Sequence, residues 1–455
     1  MVLIPQMTWK EPNSILPNYH DLMAIDRSTP PPFSELIGIK LDVPALITIS
    51  NGMKMWIAGD GEDEIDRLSI YMTGGAFHET CIMQATSCSL AVFNGNKNMN
   101  YNEIAEAIDF YGAWRAAMVH DNCTSFSLSS LNENFDKTLP ILIDCLRFPT
   151  FPDAEFELIK RQLSVNCATA RERVKYLANV EMMKMYYGNN HPLAIDPKIE
   201  DIESLSQENV KLFHQEYYKA QNCNIVLAGH ITDREIGIVE NVLGEWKPNG
   251  EPTEIRRPAP EPTDEMLKVV HKEGAVQSAI AMTIVAVPRT HPDYFKIRIL
   301  VTALGGYFGS RLMANIREEK GYTYGINASL SGRDFDGYVS ISTECDTKFT
   351  WKVIDEVKNE ILKLQKDPLP DDELKVVKRY MMSDLAKTLD TPYNIASYIG
   401  NMFCYGTYPT YFNKHIKEIL NVTSDDLHKI ANIYLNLDKL RIVVACDKNK
   451  LQESA

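Results

Sequence analysis

Two residue types that can hold a peptide backbone stand seven apart in this chain, Arg317 and Tyr324. A guanidinium offers several fixed N–H donors and a phenol one O–H, so the pair could grip a carbonyl or stabilise an oxyanion. Both lie in Leu304 to Tyr324, LGGYFGSRLMANIREEKGYTY, behind Gly305, Gly306 and Gly309. A plain packing role is open to the same residues: an Arg near a helix end satisfies terminal carbonyls, and a strand Tyr is often core. The local pattern expects Gly305 and Gly306 to break the element before them. Ser310 should N-cap a short helix with Leu312 and Ile316 on one face, and Lys320-Gly321 should end it. Tyr322, Tyr324, Ile326, Ala328 and Leu330 then alternate as in a half-buried strand.

Other chemistry is sparse. None of the ten histidines pairs with another at helical ligand spacing, and His78-Glu79, being adjacent, should point apart. The nine cysteines are scattered without a CxxC, which indicates neither a disulfide framework nor a cysteine zinc site, and reads as buried thiols in a reducing compartment. There is no GxGxxG after a strand, no GxxxxGK[ST] and no GxSxG. A net charge of -14 argues against a nucleic-acid or anionic-membrane surface and suits a basic or peptide ligand. No run approaches the roughly 18 apolar residues of a membrane span. The N-terminus lacks the basic and apolar regions of a signal peptide. The expectation is a cytoplasmic protein without a membrane span, or a periplasmic one if a leader has been removed.

The elements that must position Arg317 and Tyr324 come in duplicate. At 455 residues the chain has room for two sizeable cores. Phe151-Pro152-Asp153-Ala154-Glu155, ending Lys160-Arg161, recurs as Leu369-Pro370-Asp371-Asp372-Glu373, ending Lys378-Arg379, shifted by 218. Ser206 through Tyr217 recurs as Thr423 through Tyr434, and Ile225–Ala228 as Ile442–Ala445, both shifted by 217. One nearly constant shift over three segments reads as two copies of one α+β domain. Asn51-Gly52 signals a hairpin in the first copy, and Pro152-Asp153 opens a long helix. The proposed division is an N-terminal arm over residues 1–35, a first lobe over 36–246, a proline-rich linker over 247–265 and a second lobe over 266–455. Two lobes, each an antiparallel-rich mixed sheet covered by helices, would form a clam around a cavity.

With these residues in place, the chain resembles the pitrilysin/insulinase family of zinc peptidases, from about Leu46 to Asp447. It is most similar to the short two-lobed branch that includes the mitochondrial processing peptidase and its bacterial relatives. The likeness is sharpest in LGGxFxSRLxxxIREExGYTYG, where the family places an Arg and a Tyr near the substrate backbone; Arg317 and Tyr324 stand there. The resemblance also implies a peptide-binding role for Gly305, Gly306, Gly309 and Ser310. Active members carry an inverted HxxEH on a first-half helix, two His ligands and a Glu that activates water, with a third ligand Glu about 75 residues on. Aligned back from Phe93 to Asn98, the two His positions are Thr86 and Leu90, the base position is Ser89, and the distant Glu falls near Asn166. None of these can replace an imidazole or a carboxylate at zinc.

The resemblance therefore implies a subunit without its own cofactor. It would bind peptide substrates and supply Arg317 and Tyr324 to an active site whose zinc is held by an HxxEH-bearing homologous partner in a heterodimer. Aligning Gly112 with Gly321 sets Arg317 against Ile108 and Tyr324 against Arg115, so only the second copy keeps the pair. A non-enzymatic peptide-binding scaffold, for instance a homodimer, is the alternative. An autonomous peptidase would need a metal site the sequence does not display.

Overall fold

Apolar alternation at period two builds two sheets, and the Asn51-Gly52 turn starts the first. In the computed structural model, which describes Ser28 and residues 39–59, 61–407 and 410–451, that turn joins β1 (Ala45–Thr48) to β2 (Lys54–Ala58) in antiparallel register. Gly52 takes φ +89°, and the Asn51 amide donates to the carbonyls of Leu243 and Trp246. The expected arm, apart from Ser28, lies outside the described residues; Gly38–Ala455 forms one compact unit. The first sheet adds β3 (Ile65–Thr73), β4 (Trp114–Val119), β5 (Cys123–Leu131) and β6 (Cys223–Ala228) in the order β1-β2-β6-β3-β5-β4. The second holds β7 (Leu267–His271), β8 (Gln277–Val285), β9 (Thr323–Gly332), β10 (Gly337–Asp346) and β11 (Arg441–Cys446) in the order β7-β11-β8-β10-β9.

The duplication seen in the sequence is repeated in the pairing. β2 runs parallel to β6 as β7 does to β11, and every other neighbour pair in both sheets is antiparallel. Helices Asp153–Arg171 and Asp371–Lys387 both start behind a proline. Helices Gln207–Tyr217 and Ser424–Tyr434 are capped by Ser206 and Thr423 in matching capping boxes. Gly112 and Gly321 share a left-handed backbone, with φ of +61° and +63°. The molecule is thus an α+β protein of two similar, helix-covered sheets.

The central strands of each sheet are buried on both faces, with a different partner on each. Leu68, Ile70, Ile225 and Leu227 face the first lobe's own helices; Ile280, Met282, Ile442 and Val444 do so in the second. Fully burying each such side chain stabilises by about 1.5–3 kcal/mol. The opposite faces carry smaller residues and receive a helix from the other half of the chain. Ala178, Met182 and Met185 of helix Val174–Tyr187 pack on Ala279, Ala281, Val443 and Ala445 of the second sheet. Reciprocally, Ala396, Ile399 and Met402 of helix Pro392–Tyr405 pack on Ala58, Val226 and Ala228 of the first. The two sequence halves therefore interlock, and neither closes its core alone.

The proline-rich segment 247–265 holds no helix or strand. It is nonetheless fixed along its length. Thr253 and Arg256 bond with the side chains of Asn222 and Asn122, and Glu261 and Thr263 donate backbone N–H groups to the carbonyls of Tyr187 and Met185. Among the described residues no helix is long and apolar enough to cross a membrane.

Candidate functional site

Tyr324 is turned outward by a fault in the sheet. β9 pairs regularly with β10 from Gly332 to Ile326, but Thr343 faces Ile326 while Cys345 faces Thr323. Tyr324 and Gly325 thus share the single opposing residue Glu344, which makes a β-bulge. Without it, simple alternation would put Tyr324 on the buried side with Ile326 and Ala328. With it, Tyr324 is 92% exposed while Ile326 and Ala328 stay in the core. Thr323 fastens the bulge: its Oγ1 bonds to the Glu344 carbonyl at 2.7 Å and to Thr343 Oγ1 at 2.8 Å, and accepts the Gly325 N–H at 3.1 Å.

Beneath Tyr324 opens a cavity of about 500 Å³, walled by Gly305, Tyr307, Phe308, Met313 and Glu344 and by Lys175 from the first half of the chain. Gly305 is needed there for close approach. A Cβ on it would lie 2.6 Å from Ala328 Cβ and 2.8 Å from the Ala328 nitrogen, inside the β9 backbone. Contrary to the sequence expectation, Gly305 and Gly306 do not break the preceding element. Helix Tyr294–Val301 runs on as a π-helical turn, Thr302–Gly306, and ends only after Gly306. Such a turn widens the helix and is a frequent mark of a functional region. Gly306 lines a separate cavity of about 260 Å³ on the other side, with Arg298 and His415.

Ser310 does open the next helical segment, since its carbonyl accepts the Ala314 N–H at 2.9 Å. Its buried Oγ makes no hydrogen bond, so the side-chain cap expected from the sequence is absent. The segment is held instead by Arg311, whose Nε and Nη2 bond to the two Glu373 oxygens at 2.8 Å each. Residues Met313–Glu319 are again π-helical, and the segment ends at Gly321 with the Tyr322 N–H on the Ile316 carbonyl. Arg317 projects from this last turn. Its guanidinium lies 4.6 Å from the Phe308 ring centre, a cation–π contact, and Nη1 is 2.8 Å from Glu318 Oε1 without hydrogen-bond alignment. Phe308 walls the cavity and Arg317 sits against Phe308, so the structure sets Tyr324 at the cavity and Arg317 one side chain behind it. Gly309 is exposed on the loop, packed against Tyr307.

The candidate metal positions of the first half occupy two adjacent helices. Thr86, Ser89 and Leu90 lie on Gln84–Ala91, and Asn166 lies on Asp153–Arg171, which packs beside it. Ser89 Oγ is spent on the Thr86 carbonyl at 2.8 Å. Leu90 is exposed, and Asn166 accepts a hydrogen bond from Gln162 at 2.9 Å. Glu79 caps the shorter helix, accepting the Ala85 N–H at 2.8 Å. Burial pushes its carboxyl up to about 7, against the opposing pull of the N–H groups of Ala85, Met83 and Thr86. His78 is tied through Nε2 to the Glu254 carbonyl. Both members of that adjacent pair are structural.

Residues 63–164 match the family model described as insulinase, peptidase family M16, and residues 204–381 match the one described as peptidase M16 inactive domain. This chain belongs to the insulinase family. The "uncharacterized zinc protease YmxG" of Bacillus subtilis is 23% identical, over 76% of this chain and 84% of its own. The "non-peptidase homolog YmxG" of Helicobacter pylori is also 23% identical, over 71% and 75%. Among solved structures, the peptidase M16 inactive domain from Pseudomonas fluorescens superposes with a TM-score of 0.80 at 22% identity, covering 89% of this chain and 98% of that one.

The family implies zinc, and Thr86, Ser89, Leu90 and Asn166 do not fit it. An exposed leucine, a hydroxyl already bonded within its helix and a neutral amide provide no imidazole or carboxylate ligand. Among the described residues, the side chains that could jointly hold a metal ion are elsewhere: His120, Cys123 and Cys404, with their donor atoms all within 4.8 Å of one another. The sequence reading missed this group. His120 and Cys123 are close in the chain, but Cys404 comes from the other half and no local spacing announces it.

Proposed function

We propose that this insulinase-family chain is the non-catalytic member of a heterodimeric zinc peptidase. It binds peptide substrate and lends Tyr324, backed by Arg317, to an active site whose zinc belongs to an HxxEH-bearing homologous partner. The observation that carries this reading is the bulge at Tyr324–Gly325. A bulge costs ladder hydrogen bonds, and here it delivers a large aromatic side chain with a polar tip to solvent beside a peptide-sized cavity. A packing role would have kept Tyr324 in the alternation with Ile326.

In this reading the Tyr324 hydroxyl donates to a substrate carbonyl or to the oxyanion that forms on it. Arg317, now stacked on Phe308, would turn from it to add a charged donor. Gly305, Gly306, Gly309 and Ser310 shape the loop that a peptide passes. The negative net charge favours basic peptides. The test is reconstitution. The purified chain alone should cleave no peptide, and adding a companion chain that bears HxxEH should produce cleavage exceeding that of either chain alone. A companion equally active with and without this chain would refute the proposal.

The name of the Helicobacter relative, a non-peptidase homologue, favours a second reading, a peptide-binding scaffold without catalysis. A stable homodimer that binds peptide, and that recovers no HxxEH chain from cells, would select it.

A further inference from the structure

Cys123 and Cys404 lie 281 residues apart in sequence, yet their sulfurs are 3.2 Å apart. Both are buried, and His120 completes a group whose donor atoms lie within 4.8 Å of one another. We propose that His120, Cys123 and Cys404 form a structural site for a thiophilic divalent cation of the zinc class, which clamps one lobe to the other.

The local backbone explains how the donors meet. The His120 N–H bonds to the Cys123 carbonyl at 2.8 Å, closing β4 onto β5 through the two residues Asp121 and Asn122. Directly opposed residues of an antiparallel pair put their side chains on one face, so imidazole and thiol are presented together. The third donor comes on helix Pro392–Tyr405, which the second half of the chain lays across β2, β3 and β6. That helix lies close to the sheet. A Cβ on Gly400 would fall 1.8 Å from the Tyr71 hydroxyl oxygen, so a larger residue there would push the helix or Tyr71 aside.

The donor chemistry favours a metal. Two thiolates and an imidazole are the ligand types of zinc sites. In a tetrahedral site with zinc–sulfur bonds of about 2.3 Å, the two sulfurs stand roughly 3.7 Å apart, so a small outward shift from 3.2 Å admits the ion. His120 Nε2 is 3.1 Å from Ser125 Oγ, an outer partner of the kind that fixes the ring of a ligating histidine. Asp121 pairs instead with Arg333 from the other lobe, so His120, Cys123 and Cys404 supply three of the four tetrahedral positions. Binding is Zn²⁺ in and up to two thiol protons out, with no change of oxidation state. The carboxylate beside the site, Asp121, is committed to Arg333, and the site shares no residue with the Thr86–Leu90 helix. It predicts a metal that holds the lobes together without making this chain a peptidase.

The experiment is titration of the reduced, metal-free full-length chain with Co²⁺ and Zn²⁺. One equivalent of Co²⁺ should give the thiolate-to-cobalt charge-transfer band and intense visible bands of a tetrahedral site, both bleached by one equivalent of Zn²⁺. Cys123→Ser and Cys404→Ser should each abolish the charge-transfer band or weaken binding at least tenfold. His120→Ala should weaken binding at least tenfold while keeping a thiolate band. The wild-type titration stands whether or not a variant folds. No band in the reduced wild-type chain would overturn the proposal, as would a band unchanged in the Cys123→Ser/Cys404→Ser double variant. Recovery of the chain from cells without metal and with Cys123 and Cys404 joined in a disulfide would also overturn it.

Discussion

At the scale of single residues, Asp66 shows how much of this molecule's behaviour is hidden from the sequence. It lies fully buried on β3, and neither carboxylate oxygen has a hydrogen-bond partner. Burial, reinforced by Glu235 and opposed by Arg234 and His230, pushes its carboxyl up to about 7. A folded-state value above the ordinary carboxylate value of about 4 means that the native state holds the proton more tightly. The stability this contributes is present in full below about pH 4 and is lost as pH rises through about 7. Asp66→Asn should therefore be more stable than wild type at pH 8, by on the order of 2 kcal/mol, and nearly equal to it at about pH 4. Urea unfolding at the two pH values checks this; a variant less stable at pH 8 would contradict it. Gly305 gives a second residue-scale test. Gly305→Ala pushes a methyl into the β9 backbone and should cost about 1–3 kcal/mol in the same assay. A neutral result would mean that the loop does not need that close approach.

The element scale is where sequence and structure part most clearly. Alternation from Tyr322 to Leu330 marks a strand correctly, because side-chain period is a local property. It also places Tyr324 with Ile326, which the structure contradicts, because a bulge depends on the partner strand: Glu344 and the Thr323–Thr343 hydroxyl contact create it. Likewise Gly305-Gly306 reads as a break, and only packing against Ala328 reveals a continuous π turn. Ser310 has the right residue type for a cap but no backbone N–H within reach of its oxygen. The helix that starts behind Pro152 was legible because its Pro-Asp signal is local. The bulge makes its own prediction. Thr323→Val removes the hydroxyl that fastens it while preserving shape, so Tyr324 should lose its fixed outward position. Spectroscopy of Tyr324 exchanged for a Trp reporter should show a less exposed ring in the Thr323→Val background, and an unchanged spectrum would argue against the role given to Thr323.

For the whole molecule, duplication was readable from a shift of 217 or 218 residues, but the exchange of helices was not. Both Val174–Tyr187 and Pro392–Tyr405 obey the shift, yet each covers the sheet of the opposite half, a choice set by tertiary packing. The same crossing brings Cys404 to His120 and Cys123, which no reading of local spacing could assemble. Interlocking of this kind predicts that the halves do not fold separately. Residues 39–246 expressed alone should expose the Val226 and Ala228 face and aggregate or remain partly unfolded; co-expression with 266–455 should restore a native circular-dichroism spectrum. A monomeric, cooperatively unfolding first half would contradict the interlock.

That architecture fixes a surface carrying Tyr324 on a chain whose Thr86, Ser89, Leu90 and Asn166 offer zinc nothing. The central question is whether Tyr324 acts in an active site completed by another chain. The measurement is kcat and KM for peptide cleavage by the reconstituted pair, with wild type and Tyr324→Phe compared in this chain and the zinc content of the companion held equal. Loss of one oxyanion donor should lower kcat by roughly a hundredfold with little change in KM. Cleavage by the Tyr324→Phe pair at the wild-type rate would contradict the account.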